Sequence, residues 1–108
     1  MREKDFSSDD ERILYIRGYF DAEGGVPHHL KDPFYIQLCQ KNYSELNQLR
    51  EMVQSLGIHC GEIHNPSKKV DPNYWRFYIL AKSRFDFIKL IGSWHPIKQK
   101  IFQERMMI

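Results

Sequence analysis

Apolar residues recur at helical spacing in some stretches of the chain and alternate with polar ones in others. Between residues 9 and 24, Ile13, Ile16 and Phe20 share one side of a helix turned about 100° per residue. Leu14, Gly18 and Ala22 fall nearly opposite. Ser8 and Glu11 have capping-box spacing, which predicts a helix start near Asp9. Gly24-Gly25, where positive φ is easy, predicts its end. A glycine inside a helix costs about 1 kcal/mol relative to alanine. Gly18 and Ala22, four residues apart, offer a face on which a second helix can pack closely, which would offset that cost.

The rest of the pattern reads as two hairpins and three helices. Residues 25–30 predict a short strand, Lys31-Asp32-Pro33 a turn, and residues 34–40 a second strand. In that second strand Ile36 and Leu38 oppose Tyr35, Gln37 and Cys39. A helix from Ser44 carries Leu46, Leu49, Met52, Val53 and Leu56 and stops at Gly57. Residues 58–64 predict a third strand, 65–73 a polar loop, and 74–80 a fourth strand. There Trp75, Phe77 and Ile79 oppose Tyr74, Arg76 and Tyr78. Ser83 caps a helix with Phe85, Ile88 and Ile91 that stops at Gly92, and Pro96 opens a last one with Ile97, Ile101 and Phe102. The expectation is a single α+β domain over residues 1–108. Its order is α-β-β-α-β-β-α-α, with a four-stranded antiparallel sheet and helices on one face.

Composition narrows the function classes. A chain of 108 residues holds one modest core. No apolar run approaches the ~20 residues of a membrane span, and no signal-peptide pattern is evident, so an intracellular protein with no membrane partner is expected. Cys39 and Cys60 read as reduced thiols. The net charge of +2 is small, but acids gather early while Lys68, Lys69, Arg76, Lys82, Arg84, Lys98 and Lys100 come later. The outward strand faces, with Tyr35, Gln37, Tyr74, Arg76 and Tyr78, suit either an ordinary solvent face or a nucleic-acid surface. A zinc site drawn from His28, His29, Cys39, His59, Cys60, His64 and His95 lacks CxxC or paired-histidine spacing.

Residues 16–24, Ile-Arg-Gly-Tyr-Phe-Asp-Ala-Glu-Gly, resemble the signature of the LAGLIDADG homing endonucleases. Gly18, Asp21, Ala22, Glu23 and Gly24 keep the pattern; Tyr19 and Phe20 replace aliphatic residues, and Arg17 replaces the usual small one. By element order the similarity runs from Glu11 to Phe102. It implies a site-specific endonuclease that makes a double-strand break in a long, roughly palindromic target by Mg2+-dependent phosphodiester hydrolysis, as a homodimer. A non-cleaving DNA-binding regulator or an RNA maturase is the alternative, and half of a two-motif ancestor is a further one.

The resemblance also implies roles. Glu23 is the metal-binding carboxylate, with the Ala22 carbonyl as a second ligand, and Asp21 supports the helix end. Gln40 and Lys98 match the glutamine at the end of the second strand and the basic residue of the last helix that act beside the scissile phosphate. Tyr35, Gln37, Tyr74, Arg76 and Tyr78 face the DNA, with Lys41, Lys68, Lys69 and His28 around them. Leu14, Gly18 and Ala22 meet a second copy, and Arg17 sits at the edge of that seam.

Overall fold

The computed structural model describes residues 8–29 and 31–106. The elements run α1 (Asp9–Glu23), β1 (Gly24–Gly25), β2 (Gln37–Gln40), α2 (Tyr43–Ser55), β3 (Trp75–Tyr78), α3 (Arg84–Leu90) and α4 (Pro96–Met106), with a 3₁₀ turn at Ala81–Ser83. The Ser8 hydroxyl caps α1 by accepting the Glu11 N–H at 3.2 Å, and Asp9, Asp10 and Glu11 place negative charge where the helix dipole favours it. The Asn42 side chain, rather than a serine, caps α2 by accepting the Glu45 N–H at 3.0 Å. Gly57 and Gly92 close α2 and α3 at φ of 85° and 62°, where a Cβ would be strained.

The sheet is α+β in class but corrects the expected count. It has three antiparallel strands in the order β1-β2-β3, not four, and no double hairpin. Leu38 lies between Gly24 and Phe77, and Cys39 pairs with Arg76. The expected third strand, residues 58–64, touches β3 only through isolated bridges, Cys60 to Ile79 and His64 to Arg76. Between those bridges the register slips by one residue, as in a bulge. Arg50 of α2 supplies the reason. Its guanidinium takes the Gly61 carbonyl at 2.7 Å and the Cys60 carbonyl at 3.4 Å, turning both away from a ladder. β1 is also shorter than expected because Pro27 has no N–H to donate; Leu30 of that expected strand lies outside the described residues.

Ile36, Leu38, Phe77 and Ile79 face the helices and are fully buried, with Ile16 and Phe20 of α1, Leu46, Leu49 and Val53 of α2, Phe87 of α3, and Ile101 and Phe102 of α4. Phe20 is the hub: its ring meets Phe87 edge-on at 5.2 Å and stacks on Phe102 at 6.0 Å. Two expected core positions point outward instead, Phe85 and Ile97, and Phe87 fills the place expected of Phe85. Among the described residues no helix is long and apolar enough to cross a membrane.

Gly24 does not adopt positive φ; its backbone is extended, at φ −96°. Its glycine is needed for space, since a Cβ would overlap the Phe20 ring and lie 2.6 Å from the Phe20 carbonyl oxygen. Gly24→Ala is therefore expected to lower stability by about 1–3 kcal/mol, read as a lower urea midpoint. Burial pushes the Cys60 thiol up from 9.0 to about 12, with Arg50 opposing weakly. Between these values the unfolded chain gives up the proton while the folded chain keeps it, so stability falls as pH rises through that window. Cys60→Val should flatten this alkaline slope in a denaturation series.

Candidate active site at the end of the first helix

An α-helix ends with carbonyls that have no intrahelical partner and with the negative end of its dipole. Here three other elements meet that end of α1. Lys98, on the first turn of α4, extends its ammonium across Phe20, 4.7 Å from the ring centroid. It donates to the Phe20 carbonyl at 3.0 Å and the Asp21 carbonyl at 3.3 Å. Burial lowers the Lys98 pKa, while Asp21 and then Cys39 pull it back up. From β2, the Cys39 thiol donates to the Glu23 carbonyl at 2.8 Å. Of the four terminal carbonyls, only that of Ala22 stays open among the described residues.

The two acids of the motif are held differently. The Asp21 carboxylate accepts from the Ser93 hydroxyl and, at 2.8 Å, from the Trp94 N–H. The Ser93 hydroxyl in turn accepts the His95 N–H at 2.9 Å. Asp21 thus ties α1 to the junction that launches α4. Glu23 is exposed, and its carboxylate makes no hydrogen bond or ion pair among the described residues. No three His, Cys, Asp or Glu side chains converge to hold a metal among those residues. Among the described residues, the oxygen donors at the helix end without a hydrogen-bond partner are the Glu23 carboxylate and the Ala22 carbonyl.

Gln40, at the end of β2, donates through Nε2 to the Tyr19 hydroxyl at 3.0 Å, and its Oε1 accepts the Lys41 N–H at 2.7 Å. Burial, more than any charge, raises the Tyr19 pKa; the Gln40 bond opposes this, and Glu45, Glu23 and Tyr15 add to it. Tyr19 therefore stays a neutral hydroxyl beside the site. Sequence reasoning missed Tyr19, although its place one helical turn before Glu23 was a usable signal. It also left Arg17 unexplained. The Arg17 Nε–H donates to the Ile91 carbonyl at 2.5 Å, and its guanidinium lies 4.9 Å over the Trp94 ring. Arg17 holds the α3–α4 junction, a contact across 74 positions that no local pattern announces.

Leu14 is 51% exposed and Ala22 is exposed too; a Cβ on Gly18 would meet only Trp94, at 3.7 Å. Among the described residues, Leu14 and Ala22 of this face stay exposed and Gly18 is half-buried beside Trp94. On the far side of the sheet, Tyr35 and Tyr78 meet edge-on at 5.9 Å, and the Arg76 guanidinium lies 5.0 Å over the Tyr78 ring. Gln37 pairs across from Tyr78. Tyr74 is raised to about 12, first by a hydrogen bond with Cys39 and then by burial. Lys41, Lys68, Lys69 and His28 are exposed. Since Asp21 is bonded and Glu23 is not, Asp21→Ala is expected to lower stability by about 2–3 kcal/mol. Glu23→Gln should stay within about 0.5 kcal/mol of the parent in the same denaturation assay.

Comparison with known proteins agrees with this architecture. No curated protein matches the chain significantly. Two crystal structures of I-DmoI match at 25% identity with a TM-score of 0.64: one in complex with DNA and Mn, the other a glycine-to-serine variant with its target DNA in the presence of Mg. Each match covers 82% of this chain and 45% of the other. A mesophilic variant of the homing endonuclease I-DmoI matches in fold at a TM-score of 0.68 and 20% identity, over 92% of this chain and 50% of that one. The chain thus spans about half the length of the structures it matches. The family model for a LAGLIDADG-like domain matches residues 10–92, which include all of α1 but Asp9 and the whole sheet, and the chain belongs to the LAGLIDADG homing-endonuclease family.

Proposed function

We propose that residues 1–108 form one LAGLIDADG domain that cleaves double-stranded DNA as a homodimer, each copy supplying one Glu23. The observation that carries this reading is the end of α1: a Glu23 carboxylate and an Ala22 carbonyl without partners among the described residues, beside Lys98 and Gln40. A hard divalent cation such as Mg2+ prefers oxygen donors, and this pair suits it as half of a shared site. A second Glu23 brought up by a two-fold axis would complete the set. Mg2+ held there would supply Lewis-acid charge at the scissile phosphodiester.

The chain's own residues then have separable tasks. Glu23 and the Ala22 carbonyl hold the cation. Lys98, kept in place by the helix-end carbonyls, adds positive charge where the phosphate sits. Gln40, steadied by Tyr19, orients water with the second amide hydrogen that the Tyr19 bond leaves free. Tyr35, Gln37, Tyr74, Arg76 and Tyr78 enter the major groove, where glutamine and arginine read adenine and guanine edges. Lys41, Lys68, Lys69 and His28 contact the backbone. Leu14, Gly18 and Ala22, with Trp94 beside Gly18, form the seam between copies; the exposure of Leu14 and Ala22 supports this.

With Mg2+ and a randomised palindromic DNA library, the parent should enrich and cut one site. Glu23→Gln should bind that site while cutting falls by more than about 100-fold, beyond what outer partners of a metal cost. Binding without cutting by the parent would instead make it a regulator, and preference for RNA a maturase.

A further inference from the structure

One side chain on the outward face of the sheet has no assigned task. His64 sits in the bulged segment beside β3 and is locked to Arg76 by two backbone bonds of 2.9 Å, one in each direction. Its ring also meets the side chain: the Arg76 Nε–H donates to His64 Nε2 at 3.2 Å. A guanidinium has donors only, so Nε2 must offer a lone pair. The proton of the neutral ring is then on Nδ1, which lies 3.3 Å from the Glu62 carbonyl, an acceptor only. Both contacts thus select one tautomer. Tyr78 completes the clamp, with the His64 ring 5.8 Å away and the Arg76 guanidinium over its own ring at 5.0 Å.

The bond has a consequence for recognition. With Nε engaged, Arg76 has its two terminal nitrogens left, which form an end-on fork. Arginine reads guanine by a bidentate pair to O6 and N7, and an end-on fork satisfies that geometry. An arginine without such a brace samples many rotamers and also serves any phosphate. We propose that His64 is a positioning residue that aims Arg76 end-on at a guanine, through the lone pair that Nε2 offers to the Arg76 Nε–H. This rests on the reading of the sheet as the DNA-binding face. A proton on Nε2 would face the Arg76 Nε–H, and the brace would be lost. The charged and titratable groups around the ring are Arg76, Tyr78 and, beyond it, Tyr35 on the sheet side. Upstream lies Glu62, whose carboxylate is 3.9 Å from Arg50 of α2.

The test is enrichment of randomised duplex DNA by the full chain in Ca2+, to retain bound but uncut sites. The parent should select guanine at one position of each half-site, and Arg76→Ala should lose that choice alone. His64→Ala should lower the guanine preference roughly 10-fold while total DNA affinity changes little, because phosphate contacts dominate affinity. His64→Gln, whose amide oxygen can take the place of Nε2, should keep the preference. A parent that enriches DNA while His64→Ala keeps the same guanine preference overturns the inference alone. A parent that enriches no DNA overturns the DNA-binding reading and the inference with it.

Discussion

The last turn of α1 concentrates unsatisfied carbonyls and the negative end of a dipole at the edge of the core, and Lys98 meets them from α4. Such a cation at a helix end contributes on the order of 0.3–1 kcal/mol. Its larger effect is geometric, because the same turn is held from other directions. Asp21 grips the Ser93-Trp94 junction, and Cys39 ties β2 to the Glu23 carbonyl. Beneath it, the Phe20 ring packs between Phe87 and Phe102 and leaves no room for a Cβ at Gly24. The helix end is therefore fixed by α3, α4 and β2 together, although the side chain of Glu23 projects free of all of them.

That arrangement separates two acids that lie two residues apart. Asp21 accepts a hydrogen bond on each carboxylate oxygen and serves the fold. Glu23 keeps an open carboxylate beside an open carbonyl, which is what a hard cation needs. Among the described residues no three His, Cys, Asp or Glu side chains gather to hold such an ion within one chain. The stripe of Leu14, Gly18 and Ala22, whose ends are exposed among the described residues, lies on the same helix, so whatever packs on it also approaches the acid. Packing and chemistry are thereby linked through a single element.

Much of this was legible in the sequence where the cause was local. The Ser8 cap, the Ile16–Phe20 stripe, and the stops at Gly57 and Gly92 all follow from short-range rules. What was not legible depended on distant partners. Alternation in residues 58–64 predicted a strand, but Arg50 claims two of its carbonyls and a bulge results. The glycine at 24 suggested a left-handed turn, whereas the constraint is the Phe20 ring. Arg17 departed from the family pattern because it serves Ile91 and Trp94, more than seventy residues away. His64 was read as part of a plain strand, and nothing in its neighbours announced Arg76. The roles of Glu23, Gln40 and Lys98 came from the family resemblance and not from spacing.

The proposed catalytic centre has Glu23 from two copies of this chain meet at one shared cation site over DNA. Anomalous scattering from Mn2+ in crystals of the chain bound to its enriched DNA tests it most directly. The account predicts an anomalous peak on the two-fold axis or paired about it, within coordination distance of both Glu23 carboxylates and the Ala22 carbonyls. A peak held by other side chains, or a single chain bound to the DNA with its Leu14–Ala22 face open to solvent, would contradict it.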